Sequence, residues 1–183
     1  MFLERIRKRT GVFLLGRKLR KLKRNKQFVN LADAGNVGIL FQPAATGSFD
    51  AVHEFVRRLE GEGKKVFVLG YVDGEKVPDQ LLLRKSYQFF CRSDLNWHFR
   101  PEPEFVNEFI EREVDILMNL SFDDIFPLEY VHALSRARFK TGRFRENNDR
   151  TDLSIDVRNN RDTGYLIEQI THYLQIINRK QEY

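Results

Sequence analysis

Short apolar segments alternate along this chain with longer segments in which apolar residues recur every three or four positions. The first two apolar segments, 36–41 and 65–71, flank a stretch of helical spacing that runs from Phe49 to Leu59. Continuous apolar runs are typical of strands buried on both faces, and a strand–helix–strand unit has a right-handed crossover between parallel strands. The alternation therefore predicts an α/β fold: a Rossmann-like three-layer domain with a mostly parallel sheet, preceded by a basic N-terminal helix.

The same alternation continues beyond residue 71. We predict further strands over 87–91, 115–120, 139–144 and 153–157, the last with the apolar and polar alternation of an edge strand. Helices are predicted from about residue 103 and over 127–137 and 163–179. The residues predicted to face inward in the first and last of these helices are Phe105, Val106, Phe109, Ile110, Leu166, Ile170, Tyr173, Leu174 and Ile177.

Charge is distributed unevenly along the chain. Residues 1–26 contain eleven of its 31 lysines and arginines but a single acid, Glu4, so this segment carries +10 and the rest of the chain −5. A basic arm on a mildly acidic body favours contact with an anionic partner, which can be nucleic acid, lipid headgroups or an acidic protein face. The candidate polyanion-binding residues are Arg5, Arg7, Lys8, Arg9, Arg17, Lys18, Arg20, Lys21, Lys23, Arg24 and Lys26.

The basic segment also has the spacing of a helix. Four of its apolar residues fall three or four positions apart, so a helix would align them on one side: Val12, Leu15, Leu19 and Leu22. Gly11 and Gly16 each weaken a helix by roughly 1 kcal/mol relative to alanine, which predicts a broken or frayed segment before Arg17.

We divide the chain into a basic helical tail over residues 1–30 and a single Rossmann-like α/β domain over residues 31–183. The apolar stripe of the tail has an alternative interpretation, in which it packs on the body or on a second subunit and leaves the cations solvated. A homo-oligomer is compatible with the sequence.

Three loops that follow strands are candidate ligand sites, because ligands of open parallel sheets bind beyond the carboxyl ends of the strands. Loop 42–48 offers hydroxyls and amides to a phosphate or carboxylate, or is a turn capped by Ser48. Loop 119–124 offers Asn119 and the adjacent Asp123 and Asp124, which suit a divalent cation or a general base, or cap the next helix.

The third loop, 140–145, carries cations that suit a phosphate or form a solvated surface. None of the three loops has the glycine fingerprint for dinucleotides or the P-loop lysine signature. The candidate crevice residues are Thr46, Ser48, Asn119, Ser121, Asp123, Lys140 and Arg143.

The remaining reactive residue types point to no specific chemistry. Cys91, the single cysteine, excludes an internal disulfide, lies in an apolar strand as a buried inert thiol would, and fits a reducing cytoplasm. The four histidines lack the spacing of a helical zinc site, so we predict neither metal nor cofactor. Trp97 and Phe99 either stack a base or serve the core. No stretch approaches the roughly 20 apolar residues of a membrane span.

Two segments carry resemblances to known families. The strand sequence Asp-Ile-Leu-Met-Asn-Leu-Ser over 115–121, followed by Ala-Leu-Ser-Arg-Ala-Arg-Phe-Lys-Thr-Gly-Arg-Phe over 133–144, resembles an uncharacterised family of small Bacteroidetes proteins of unknown function. That resemblance extends over nearly the whole chain and implies no activity. The same segment is similar to the N-terminal Rossmann half of lipopolysaccharide heptosyltransferases, which implies the fold.

Three functions follow as hypotheses. The leading one is a non-enzymatic binding protein whose basic helix contacts RNA or another polyanion. The second is a small enzyme that binds a nucleotide or phosphorylated metabolite in the crevice at the strand ends. The third is peripheral attachment to an anionic membrane through the basic helix.

Overall fold

A computed structural model describes residues 2–82, 86–146 and 150–177 of the chain. Six strands form one sheet: β1 (Asn36–Phe41), β2 (Lys65–Val72), β3 (Tyr87–Cys91), β4 (Ile116–Asn119), β5 (Phe139–Arg143) and β6 (Leu153–Ile155). Their order across the sheet is β3-β2-β1-β4-β5-β6, and every neighbouring pair is parallel. The predicted α/β fold with a parallel sheet is confirmed, and β6 lies at an edge as its alternating pattern indicated.

Helices cover both faces of the sheet. The helices are α1 (Phe2–Leu19), α2 (Ser48–Gly61), α3 (Asp79–Leu82), α4 (Glu104–Glu111), α5 (Phe126–Leu134) and α6 (Thr163–Ile176). Helices α2 and α6 share one apolar core with Val37, Ile39 and Phe41 of β1, whereas α4 and α5 share a second core with Leu40. The alternation of these β1 residues between two cores explains why the strand is apolar throughout.

Most helices and strands begin and end close to the predicted residues, but two predicted ends require correction. Helix α5 ends at Leu134, not at residue 137, because the chain leaves the helix at Ser135, whose hydroxyl accepts the Ala137 N–H. Strand β6 ends at Ile155, two residues before the predicted end. The last two residues of the predicted helix over 163–179 lie outside the described residues.

The inward face of α6 differs from the predicted one. Leu166, Ile170 and Leu174 are buried as expected, but Tyr173 is 41% exposed and Ile177 37% exposed. Ile167 is buried instead. The buried residues follow the i, i+4 rows of the helix, and Tyr173 lies at the edge of that stripe, about 60° from Ile170 and about 100° from Leu174.

Helix α1 is unbroken from Phe2 to Leu19, so the predicted break before Arg17 is wrong. Leu15 is only 2% exposed, whereas Val12 is 45% exposed and Leu22 lies beyond the helix. The docked side is the row of Arg7, Gly11 and Leu15, spaced four residues apart. No helix in the described parts of the chain is long and apolar enough to cross a membrane.

Candidate functional site

Helix α1 lies against the layer formed by α4 and α5. Leu15 joins their apolar core, and Lys18 donates a hydrogen bond of 2.7 Å from Nζ to the Tyr130 hydroxyl. Gly11 allows the close approach, because a Cβ at this position would lie 2.4 Å from the His98 carbonyl oxygen and 3.0 Å from the Phe126 ring. The apolar side of the helix therefore packs on the body, as the alternative interpretation predicted.

The segment that follows α1 is tied to the body by Asp152. Arg24 donates to both carboxylate oxygens at 2.7 and 2.8 Å, Lys26 lies 2.8 Å from one of them, and the Lys140 backbone N–H donates at 2.9 Å. Burial alone would raise the pKa of Asp152, but the hydrogen bonds from Arg24, Lys26 and Lys140 outweigh it and lower that pKa. Beyond this anchor, Phe28 packs edge-on against Phe139 at 5.0 Å between ring centroids.

The other cations of the basic segment lie at the surface of the protein. Arg7 is half-buried, and the rest form what we call the basic surface: Arg5, Lys8, Arg9, Arg17, Lys18, Arg20, Lys21 and Lys23. Apart from Lys18, none of these exposed side chains forms an ion pair or side-chain hydrogen bond with a described residue. Phe2 and Phe13 lie among them and are 77% and 63% exposed. The body thus neutralises the cations at Asp152 and leaves the basic surface open to solvent.

A cleft of about 630 Å³ separates the N-terminal half of α1 from the carboxyl ends of β2 and β3. Helix α1 contributes Arg5, Arg7 and Lys8 to its wall, and the start of α5 closes its other side. The floor and rim include Tyr71, Asp73, Arg92, Leu95 and Phe99. Cations therefore face an apolar and aromatic wall across this cleft.

Loop 95–101 forms part of the cleft and is tightly braced. The Asn96 side-chain oxygen accepts the backbone N–H groups of His98 and Arg100 at 3.1 and 3.0 Å, and Leu95 pairs with Pro101. Phe99 has a φ of 63°, a conformation that residues other than glycine seldom adopt. Strained backbone of this kind persists where the surroundings hold it, and it is enriched at functional sites.

Arg7 joins α1 to this loop. Its Nε donates to the Trp97 carbonyl oxygen at 2.5 Å, and its guanidinium lies over the Phe99 ring, 4.4 Å from the centroid. Trp97 itself is 56% exposed and does not serve the core.

Tyr71 and two charged groups form the polar part of the cleft floor. Burial, followed by the nearby Asp73 carboxylate, raises the pKa of Tyr71 to about 12. Its protonated hydroxyl donates to Asp73 at 3.4 Å, and Arg92 donates to the same carboxylate at 2.7 Å. The charge of Asp73 is therefore compensated by Arg92 within the cleft.

Among the predicted crevice residues, the structure brings Asn119 and Ser121 together. Both are buried, and the Ser121 hydroxyl donates to the Asn119 side-chain oxygen at 2.7 Å. Arg145 donates to the Ser121 hydroxyl at 3.2 Å and Arg143 pairs with Asp124, so cations gather near the ends of β4 and β5. Asn119 Nδ2 is buried without a hydrogen-bond partner among the described residues.

The other predicted crevice residues are dispersed. Thr46 is exposed, and Asp123 pairs with Arg161 at 2.7 Å. Lys140 is buried on β5, donating to the Ala133 carbonyl at 2.9 Å, so it does not lie in a loop. Burial, together with the neighbouring Arg24 charge, lowers the pKa of Lys140 to about 7 despite the opposing effect of Asp152.

The predicted helix caps are also wrong. Ser48 is the first residue of α2, and the capping position belongs to Gly47, which adopts a φ of 70°. Neither Asp123 nor Asp124 caps α5, since both carboxylates are paired with arginines and Ile125 holds the capping position. The capping position has a left-handed backbone conformation, which favours glycine, so Gly47 and not Ser48 occupies it.

Sequence reasoning missed most of the cleft. Tyr71, Asp73 and Arg92 follow or end predicted strands, so the rule that ligands bind at carboxyl ends would have found them. The wall supplied by α1 had no comparable signal, because its position depends on a contact between Gly11 and a carbonyl 87 residues away.

Cys91 is buried as predicted, and no three metal-ligand side chains converge within the described parts of the chain.

Two comparisons with known proteins bear on the chain. Residues 8–177 match a protein family described as "Family of unknown function (DUF6913)". The match includes most of α1 as well as every strand of the sheet. No curated protein matches the chain.

Proposed function

The chain belongs to the DUF6913 family of unknown function, and we propose that it is a binding protein whose basic surface contacts single-stranded RNA. The observation that carries the proposal is the basic surface itself, seven of whose cations lack an ionic or side-chain hydrogen-bonding partner among the described residues. Phosphate groups along a nucleic acid backbone complement such a surface, and their neutralisation releases counterions.

Docking of α1 on the body supports this proposal in a second way. A helix held by Gly11, Leu15 and the Arg24 anchor presents its cations in a fixed arrangement, so less conformational entropy is lost when a partner binds. Among the described residues no acid of the body pairs with the basic surface, although the body carries a net charge of −5.

Exposed aromatic rings favour a single-stranded partner over a duplex. Phe2 and Phe13 lie on the outward face of α1, where unpaired bases of a single strand can stack on them. Stacking on an aromatic side chain contributes roughly 1–3 kcal/mol per base. Proteins that bind single strands usually combine cations that bind phosphates with aromatic rings on which bases stack.

The test replaces cations without disturbing the docked side of the helix. We expect the triple variant Arg9→Gln, Arg17→Gln, Arg20→Gln to bind fluorescent oligouridylate more weakly. Its plot of log affinity against log salt concentration should be shallower by about 2, since each phosphate contact on a single strand contributes about 0.7. Fluorescence anisotropy over a series of salt concentrations measures both quantities.

A matched control removes the same charge from the body. Arg57, Lys65 and Lys76 are exposed and also lack ion pairs with described residues, so the corresponding triple glutamine variant has the same net charge. This control should retain the affinity and the salt dependence of the wild type. Equal losses in both variants, or no RNA binding by the wild-type protein at low salt, would refute the proposal.

An anionic membrane surface is a second candidate partner. Phe2, Ile6 and Phe13 lie on one outward face of α1, flanked by arginines, and an interfacial helix has such a combination. The double variant Phe2→Leu, Phe13→Leu separates the partners, because leucine keeps apolar area but cannot stack on a base. Loss of RNA binding by this variant with unchanged sedimentation on phosphatidylserine vesicles indicates stacking on RNA bases. Strong vesicle binding and no RNA binding by the wild-type protein indicates the membrane.

Binding rather than catalysis is the role that we propose, and we place the protein in the cytoplasm because a chain with a single cysteine suits a reducing compartment. The resemblance of 115–121 and 133–144 to heptosyltransferases supports no transfer reaction in this proposal, because these residues include β4, the end of α5 and β5 of the scaffold.

A further inference from the structure

The cleft beside α1 has the dimensions of a small-molecule site. Its volume of about 630 Å³ lies within the range of roughly 300–1,000 Å³ that such sites occupy. It lies at the carboxyl edge of a parallel sheet, where ligands of this architecture bind. Arg5 and Lys8 belong to the basic surface and also line the cleft, whereas Arg9, Arg17 and Arg20 of that surface do not line it.

The charges that line the cleft leave a cationic excess. Asp73 is paired with Arg92, and Asp124 is paired with Arg143 and Arg145. Arg5, Arg7 and Lys8 have no carboxylate partner among the described residues, and Glu4 is the single lining acid that is likewise unpaired. Three cations against one carboxylate favour an anionic ligand.

Arg7 is held in place before any ligand arrives. The Trp97 carbonyl and the Phe99 ring fix its guanidinium, and the loop that supplies both contacts includes the strained backbone of Phe99. A fixed guanidinium binds a phosphate with less loss of side-chain entropy than a mobile one. The start of α5, which no side chain caps, also lines the cleft and adds the positive end of a helix dipole.

The remaining wall is apolar and aromatic. Leu95, Ile125 and Phe126 contribute to it, and the Tyr71 hydroxyl offers a polar group at the floor. A flat ring can pack on this wall while an attached phosphate reaches Arg5, Arg7 and Lys8. We infer that the cleft binds a mononucleotide, with its phosphate on the α1 cations and its base against the apolar wall.

The experiment is a calorimetric titration of the full chain with four probes. These are adenosine 5′-monophosphate, ribose 5-phosphate, adenosine and inorganic phosphate. The nucleotide should bind most tightly, ribose 5-phosphate more weakly because it lacks the base, and adenosine least because it lacks the charge. Phosphate that binds as tightly as the nucleotide would reduce the cleft to a simple anion site and overturn the inference.

Two double variants of the same helix locate the site. Arg5→Gln, Lys8→Gln removes exposed cations that line the cleft, whereas Arg9→Gln, Arg17→Gln removes the same charge from residues that do not line it. The first should weaken nucleotide binding by roughly tenfold or more, since a hydrogen bond to a charged group contributes about 1.5–3 kcal/mol. The second should leave it within about twofold.

Equal weakening by the two variants, or no nucleotide binding by the wild-type protein, would overturn the inference. Its failure is distinguishable from failure of the RNA proposal, because the Arg9, Arg17 and Arg20 variant tests RNA without altering the cleft. Nucleotide binding that survives in that variant while RNA binding is lost shows two separate functions.

Discussion

Lys140 is a buried lysine with an unusual proton affinity. Its pKa falls from the ordinary 10.5 to about 7 on folding, chiefly because its ammonium group is desolvated and lies near Arg24. His132, fully buried nearby, also has a lowered pKa, caused by burial and then by the Lys140 charge. Between pH 7 and 10.5 the unfolded chain therefore holds a proton on Lys140 that the folded chain lacks.

This difference makes stability depend on pH. The free energy of unfolding should rise with pH above 7, by up to about 1.4 kcal/mol per pH unit from this one group. The variant Lys140→Met removes this titration. Its free energy of unfolding, relative to that of the wild type, should therefore be higher at pH 7 than at pH 9. Urea unfolding at pH 7, 8 and 9 measures this trend, with exposed Lys65→Met as the control. Parallel pH profiles for wild type and Lys140→Met would contradict the prediction.

Lys140 also shows why residue positions are harder to predict than residue types. Lys140 and Arg143 were predicted to share one cationic loop, but both lie on β5. Side chains of a strand alternate between faces, so residues three apart point to opposite sides of the sheet. Asn119 and Ser121, two apart at the end of β4, were predicted in one crevice and do meet.

At the scale of elements, the docking of α1 depends on Gly11 and not on Gly16, and the two glycines differ in their surroundings. A Cβ at Gly11 meets the His98 carbonyl and the Phe126 ring, whereas a Cβ at Gly16 meets nothing within 4 Å. Alanine favours a helix over glycine by about 1 kcal/mol at either position.

The two alanine variants should therefore change stability in opposite directions. Gly16→Ala should raise the free energy of unfolding by about 0.5–1 kcal/mol, through helix propensity alone. Gly11→Ala should lower it by about 1–3 kcal/mol, because the helix must shift away from loop 95–101. Chemical denaturation of both variants measures the effects. Stabilisation by Gly11→Ala would show that the helix is not held at this contact.

The sequence indicated the sheet far better than it indicated α1. Each strand is a local apolar run, and the strand–helix alternation dictates parallel pairing, so all six strands were predicted. The course of α1 depends on long-range contacts of Gly11 and Leu15, and these leave no periodic pattern of their own. Local glycine propensity pointed to a broken helix, and tertiary packing overrode it.

At the scale of the whole molecule, α1 and the sheet share one apolar core. Leu15 is 2% exposed among residues of α4 and α5, and truncation of a buried leucine to alanine alone costs about 2–5 kcal/mol. A chain that begins at residue 20 should unfold at a lower urea concentration than the complete chain. The Arg9, Arg17 and Arg20 glutamine variant is the control and should stay within about 0.5 kcal/mol of the wild type.

An unchanged urea midpoint would instead mean that α1 is an independent tail, as our division of the sequence at residue 30 assumes. The distinction decides how RNA binding should be tested, because deleting a helix that completes the core would damage the protein for reasons unrelated to charge.

Trp97 is the single tryptophan of the chain, and its carbonyl oxygen accepts the hydrogen bond from Arg7. Trp97 is 56% exposed and lies where loop 95–101 meets α1. Selective excitation of this one fluorophore consequently reports on that junction without any attached dye. Its emission should therefore respond to a ligand in the proposed nucleotide cleft or to displacement of the helix from this loop.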